Sequence, residues 1–210
     1  MKKNARKPVL MKYTSLSSAI HILRSRALPL LDPSRWDDKN DGHVMRRYEE
    51  AMGRGPVRAT CFTQSADTYH HWSVFAAGPD GVRLEIDKAK LLASLEGADA
   101  ICGEMRYLTI NELREPAAIA ADQLAFVKRQ PYADEREFRI LRFAEGTPEC
   151  PLALSWIRRV TLSPWMPPPV ATSVKAALKA QPGCGRLRVY QSTLVGNADW
   201  RAAADKIAKR

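Results

Sequence analysis

Turn formers and helix caps cut this 210-residue chain into short segments, and that punctuation limits what it can fold into more than any other feature. Val82-Arg-Leu-Glu-Ile86 alternates apolar and charged residues with period two, the pattern of a half-buried strand. It lies between the Gly78-Pro-Asp-Gly81 turn and Asp87, a residue suited to capping a helix. Residues 9–13, 57–62, 105–110, the segment ending at Phe143, 156–162 and 186–190 read as further short strands. Thr14 or Ser15 caps a helix whose stripe is Leu16, Ile20, Leu23 and Ala27. Other helices are expected over 44–52, 87–95, 111–128, 170–180 and 197–209, with Pro164, Pro167, Pro168 and Pro169 forbidding regular structure ahead of residue 170. Roughly six or seven strands and about five helices, without strict βα alternation, imply an α+β fold. The expectation is a single compact domain over 1–210, with a small twisted or split mixed sheet and flanking helices, and with residues 1–8 as a basic tail.

Composition narrows the function classes. Hydrophobic residues at 45% and charged residues at 27% exclude global disorder. The apolar stretches are far shorter than the ~20 residues that span a bilayer, so no membrane partner is expected. The basic start is followed by no apolar signal segment, which points to the cytoplasm, and Cys61, Cys102, Cys150 and Cys184 then read as reduced thiols. No Cys/His pair has zinc-ligand spacing, so no metal is expected. The net charge is +10 and concentrates at the ends, with Lys2, Lys3, Arg6, Lys7 and Lys12 at one and Arg201, Lys206, Lys209 and Arg210 at the other. Basic ends suit nucleic acid through counterion release, and equally suit plain solubility.

Three groups of residues occur in an order that resembles a known family. They are Leu10-Met-Lys-Tyr-Thr-Ser15 with Trp36-Asp-Asp-Lys-Asn-Asp41; Thr60-Cys-Phe-Thr63, His71-Trp-Ser-Val-Phe-Ala76 and Gly81-Val-Arg-Leu-Glu-Ile-Asp87; and Lys128 with Tyr132 and Asp134-Glu-Arg-Glu-Phe-Arg-Ile140. The chain resembles the bacterial family catalogued as domain of unknown function 2971, from which it departs at Phe75, where the family pattern carries Tyr. More loosely, the layout is similar to that of ADP-ribosyltransferase-type folds. That likeness implies an NAD-consuming enzyme that breaks the nicotinamide–ribose bond, with a nucleic acid or protein as acceptor.

Such a reaction passes through a state with oxocarbenium character, which a carboxylate near the ribose stabilises. Glu137 is the candidate for that carboxylate, with Glu135 beside it to orient an acceptor. Tyr13, Trp72 or Phe75 supplies an aromatic wall, and Lys12, Lys128 and Arg139 supply cations for the pyrophosphate. Together with Thr14 they predict a cleft lined by 12–14, 69–75 and 135–139. His70 and His71 form a second acid/base candidate. Each choice has a plainer counterpart. Glu135 and Glu137 also fit a solvated strand edge paired with Arg136 and Arg139. Trp72 and Phe75 also fit the core, and Asp37, Asp38 and Asp41 fit a polar turn better than a Mg²⁺ site. Two other functions therefore stand beside the enzyme: a basic nucleic-acid-binding or nucleic-acid-processing protein of a bacterial defence or toxin system, and a non-catalytic interaction domain.

Overall fold

The computed structural model describes residues 8–115 and 119–209; most of the expected basic tail, the Pro116 position and Arg210 lie outside the described residues. The strands are β1 Val9–Ser15, β2 Ala27–Pro29, β3 Val57–Thr63, β4 Gly81–Asp87, β5 Ile101–Glu104, β6 Arg106–Leu108, β7 Val127–Arg129, β8 Glu137–Phe143, β9 Glu149–Pro151, β10 Ile157–Leu162 and β11 Val189–Gln191. The helices are α1 Leu16–Ser25, α2 Lys39–Met52, α3 Tyr69–Phe75, α4 Lys88–Ala93, α5 Ile110–Arg114, α6 Pro168–Lys179 and α7 Ala198–Ala208. Seven strands form one mixed sheet in the order β11-β10-β4-β1-β3-β8-β5, and β2-β9 and β6-β7 form two-stranded sheets. The fold is α+β, as the segment pattern implied. Among the described residues no helix is long and apolar enough to cross a membrane.

Caps set the helices where expected, with informative exceptions. Ser15 and Asp87 accept from the backbone N–H three residues on and start α1 and α4. Asp38 caps α2 through the N–H groups of Asn40 and Asp41, so α2 begins five residues earlier than the apolar pattern suggested and the expected polar turn is its first turn. The helix expected over 111–128 is instead the short α5, started by a Thr109–Glu112 capping box. Glu115 is extended there because the following Pro116 disfavours the helical region for its neighbour. Pro168 and Pro169 do not break α6; they occupy its first turn, where the missing N–H groups have no intrahelical partner in any case.

The sheet's two faces differ in kind. One buries Leu10, Phe62, Val82, Leu84, Ile86, Phe138, Ile140, Val160 and Leu162 against α1, α4 and α6. Each of these large apolar side chains contributes about 1.5–3 kcal/mol by leaving water. The other face is mixed. In its outer half Val57, Ala59 and Leu141 pack against Met45 and Tyr48 of α2. In its centre Met11 and Tyr13 pack against Trp72 and Ala76 at α3. Between these two apolar patches the strands turn polar.

The sheet is almost divided there. β1 and β4 pair along seven residues and β3 and β8 along seven, whereas β1 and β3 pair at Met11↔Thr63 alone. Lys12 fills the opening: its ammonium donates to the Cys61 carbonyl at 3.1 Å and lies 5.6 Å from the Phe62 ring centroid.

Candidate active site

Strand register places the polar residues. Met11 of β1 faces Thr63 of β3, and Thr63 faces Glu137 of β8, so three adjacent strands bring these residues into one row. Opposed residues share a face, and so do residues two apart on a strand. Tyr13, Cys61 and Arg139 therefore join Met11, Thr63 and Glu137 on the mixed face. Thr14 alternates to the opposite face, opposite Val82.

Glu137 is the centre of a buried ionic cluster. It is 6% exposed and Arg139 is 0% exposed. Arg139 donates from Nε to Glu137 Oε1 at 2.6 Å and from Nη2 to Oε2 at 3.2 Å, a two-point grip that fixes the carboxylate plane. The same guanidinium donates to Asp41 Oδ2 and to the Ala125 carbonyl, and lies 4.7 Å from the Trp36 ring centroid. Lys128 closes the other side, donating to Glu137 Oε2 at 3.2 Å and to Glu135 Oε2 at 2.6 Å, with Asp41 Oδ2 at 3.8 Å. Three acids thus share two cations in low dielectric. Tyr107 Oη accepts from the Glu137 backbone N–H at 2.7 Å and pins the start of β8.

Charge states follow from these partners. Burial pushes the Glu137 carboxyl up, but Arg139 and Lys128 outweigh it and hold it at about 2. Burial raises Glu135 and Asp41 above the ordinary carboxylate range, with Lys128 and Arg139 respectively opposing it. Glu137 is therefore the permanently ionised member, and Glu135 and Asp41 are the members nearer to carrying a proton. Cys61, on the facing strand, is pushed well up by burial and by Glu137. Burial lowers Lys12, with Cys61 and Glu137 acting the other way.

The aromatic half lies beside it. Trp72 is fully buried and donates Nε1–H to Asp67 Oδ1 at 2.5 Å; its ring meets Tyr13 edge-on at 5.1 Å. Asp67 gathers three more partners: Tyr13 Oη at 3.3 Å, Arg83 at 3.1 Å and Ser192 Oγ at 3.2 Å. His71 stacks on Tyr13 at 5.6 Å, and burial lowers its pKa. Phe75 is exposed at the end of α3, within 5.9 Å of His71 and 6.3 Å of His70. The loop before β8 docks onto β3: Thr63 Oγ1 donates to the Glu135 carbonyl and Ser65 Oγ donates to the Asp134 carbonyl at 2.6 Å.

Tyr13, the α3 residues His71 and Trp72, and Glu137 with Arg139 therefore lie on one face beside the split in the sheet, whereas Lys12, like Thr14, alternates to the other. The particulars depart from the sequence reading. The solvated-edge alternative for Glu135 and Glu137 is overturned, because both are buried and ion-paired. Their partner is Lys128 in addition to Arg139, and Arg136 takes a left-handed backbone at φ 43. That kink removes Glu135 from the pleat, so Lys128, not strand periodicity, brings the two acids together. The Lys128 and Arg139 charges are already committed to acids, and Trp72 has no exposed face. Sequence reasoning weighed Asp41 only as a polar-turn or Mg²⁺ residue, and nothing local marks it as a partner of Arg139. It also missed Asp67, Arg83 and Tyr107, which no spacing marks.

No family model and no curated protein matches the chain, so the likeness to domain of unknown function 2971 rests on the quoted segments alone. Among solved structures the chain is similar to DarT of Thermus sp. 2.9 in complex with NAD+, at TM-score 0.48 and 10% identity over 89% of this chain and 96% of that one. It is similar as well to the same protein in complex with ADP-ribosylated ssDNA (TM-score 0.48, 12% identity, 89% and 94% covered). The complex with carba-NAD+ gives TM-score 0.47 and 11% identity, with 89% and 96% covered.

Proposed function

We propose that the chain is an NAD-consuming, ADP-ribosyltransferase-like enzyme that cleaves the nicotinamide–ribose bond, with Glu137 as the carboxylate at the reacting ribose. One observation carries the reading: Glu137, held ionised at about 2, lies in the same strand row as Met11 at the split of the sheet, two residues from the aromatic Tyr13. Breaking the glycosidic bond leaves the electron pair on the nicotinamide nitrogen and positive charge on the ribose. A carboxylate that stays charged and is fixed in direction stabilises that charge without reorganising. Arg139 and Lys128 are then positioning residues, since they grip Glu137 from two sides. Glu135, nearer to neutrality, takes the proton of the incoming acceptor. Exposed Phe75, beside His71 that stacks on the buried Tyr13, offers aromatic surface for the nicotinamide ring. Lys12 and Thr14 alternate to the other face of β1, opposite Leu84 and Val82, and the Lys12 ammonium is held by the Cys61 carbonyl, so neither has a part in this reading. A nucleic acid, drawn by the +10 charge, or a protein is the acceptor.

The test is incubation with NAD and quantification of released nicotinamide, with Glu137→Gln as the comparison. Loss of at least about 100-fold in turnover, measured well below the melting transition of the variant itself, supports the role, on the scale of removing one electrostatic stabiliser. Equal turnover by the variant removes Glu137 from the chemistry, and no release by the native chain under any acceptor removes the enzyme reading. One observation favours the non-catalytic alternative: every charge in the cluster has an internal partner. Under that reading Glu137→Gln changes stability and nothing else.

A further inference from the structure

The last helix carries a surface that the proposed reaction does not use. α7 spans 11 residues, Ala198–Ala208, and none of them is buried. A helix of that length is marginal in water by itself, and most helices gain their stability by packing an apolar face. α7 has such a face. Trp200, Ala203, Ala204 and Ile207 recur at the spacing that places them along one stripe. Trp200 is 78% exposed and Ile207 is 70% exposed, the two highest values among the large apolar side chains of the described residues. The first half of the stripe lines a groove of about 800 Å³. Leu194, Val195, Trp200 and Ala203 are its apolar walls, and Asp67 and Asp199 are its acids. Exposed apolar surface gathered in this way, with polar residues at its rim, marks an interaction site.

We infer that the occupant of this groove is a second copy of the chain: two α7 helices pair antiparallel, and the C-terminal half of each lies in the groove of the other. The stripe is self-complementary in that direction. With the crossing between Ala203 and Ala204, Trp200 meets the partner's Ile207, and two-fold symmetry makes the contact twice. The alanines at the crossing let the two backbones come close. Charge supports the same direction. Asp199 and Lys206 are seven residues apart, so they lie on one flank of the stripe, and neither has an ion-pair partner among the described residues. An antiparallel partner sets each Asp199 beside a Lys206, whereas a parallel one sets acid beside acid and base beside base. Charge also separates a second copy from other occupants. Asp199 and Asp205 balance Arg201 and Lys206, so α7 is neutral in a chain of net charge +10. A nucleic acid or an anionic membrane is drawn to the basic parts of the molecule and not to this helix. Two such basic chains meet here with the least local repulsion. The inference stands whether or not NAD is cleaved.

The experiment is sedimentation of the full chain over about 1 to 100 µM, the range in which a small interface dissociates. A reversible dimer is expected. Trp200→Glu, at an exposed position, is expected to weaken it at least about 30-fold, the scale of a central aromatic anchor, with the same unfolding midpoint at concentrations where both proteins are monomers. Asp199→Lys and Lys206→Asp are each expected to weaken self-association about 10-fold. An equimolar mixture of these two variants is expected to associate at least about 10-fold more tightly than either variant by itself, because every facing pair in the mixed dimer is opposite in charge. Any effect of these substitutions on the helix ends is common to the like and mixed dimers, so it does not enter that comparison. An association indifferent to Trp200→Glu, or a mixture no tighter than its components, overturns the inference. A chain that stays monomeric at about 100 µM overturns it as well and leaves α7 to a different protein or to a nucleic acid. Nicotinamide release is read separately, so the dimer fails or holds independently of the proposed reaction.

Discussion

Replacing Arg139 by Met tests the ionic cluster most directly. The side chain is fully buried, and the substitution keeps much of its length and apolar stem while deleting the guanidinium. Glu137 then loses its two-point partner, and Asp41 loses the donor to Oδ2. Holding the Glu137 carboxyl at about 2 in place of its ordinary 4.5 is worth roughly 3 kcal/mol at neutral pH. Breaking one side of a buried ion pair costs about 3–5 kcal/mol by general experience, so the two routes agree. In a domain of this size each kcal/mol moves Tm by roughly 2–4 °C, and the expected loss is about 6–20 °C. The pH dependence gives a second reading. In the native chain the Glu137 contribution is complete above the ordinary carboxyl range and fades only as pH falls towards about 2. In the variant, burial acts on Glu137 without its guanidinium counterweight, so its carboxyl takes up a proton at higher pH than in the native chain. The deficit of Arg139→Met should therefore be largest at pH 8 and shrink towards pH 5. Thermal unfolding followed by circular dichroism at both pH values decides it, with exposed Arg47→Met as a control expected to cost no more than about 1 kcal/mol. A loss below about 2 °C, or a deficit equal at both pH values, refutes the closed-cluster argument.

Three further outcomes are expected. Gly81→Ala places a Cβ 2.1 Å from the Ala76 carbonyl oxygen, so the start of β4 must shift; a loss of more than about 2 kcal/mol in denaturant midpoint analysis is expected. His71 is buried with its pKa lowered from 6.5, chiefly by burial, so its contribution is full above that value and lost on acidification below it; His71→Gln should flatten this part of the stability–pH curve. Tyr13→Phe removes one donor to Asp67, which keeps Trp72 and Arg83, so unfolding midpoints should show a loss of about 0.5–1.5 kcal/mol. Nicotinamide release should persist in that variant, because the phenol is bound to Asp67 and takes no part in the proposed reaction.

The parts of this fold legible in the sequence are those governed by local chemistry. Ser15, Asp87 and Asn197 mark helix starts because a short polar side chain answers the first bare N–H groups, and the Val82–Ile86 alternation marks its strand because one face meets the core. Neighbouring residues misled where a long-range partner decides the outcome. β2 and β9 are three residues each and exist because Leu28 finds Cys150 across 122 positions of chain. The two acids before and within β8 looked like a surface edge because nothing local shows that Lys128, folded back by β7, lies between them. Asp67 sits in a loop of turn formers, and only tertiary assembly gives it Tyr13, Trp72, Arg83 and Ser192.

The lone Met11↔Thr63 pairing has a mechanical consequence. The large sheet is two panels joined at one backbone pairing and bridged by side chains, Lys12 to the Cys61 carbonyl and Lys88 to Gln64 and Glu104. Twisting one panel against the other disturbs fewer backbone pairings than a comparable movement along the seven-residue ladders on either side. Tyr13 rides on one panel and Glu137 on the other, so the span between ring and acid crosses the line of the large sheet with the fewest backbone pairings.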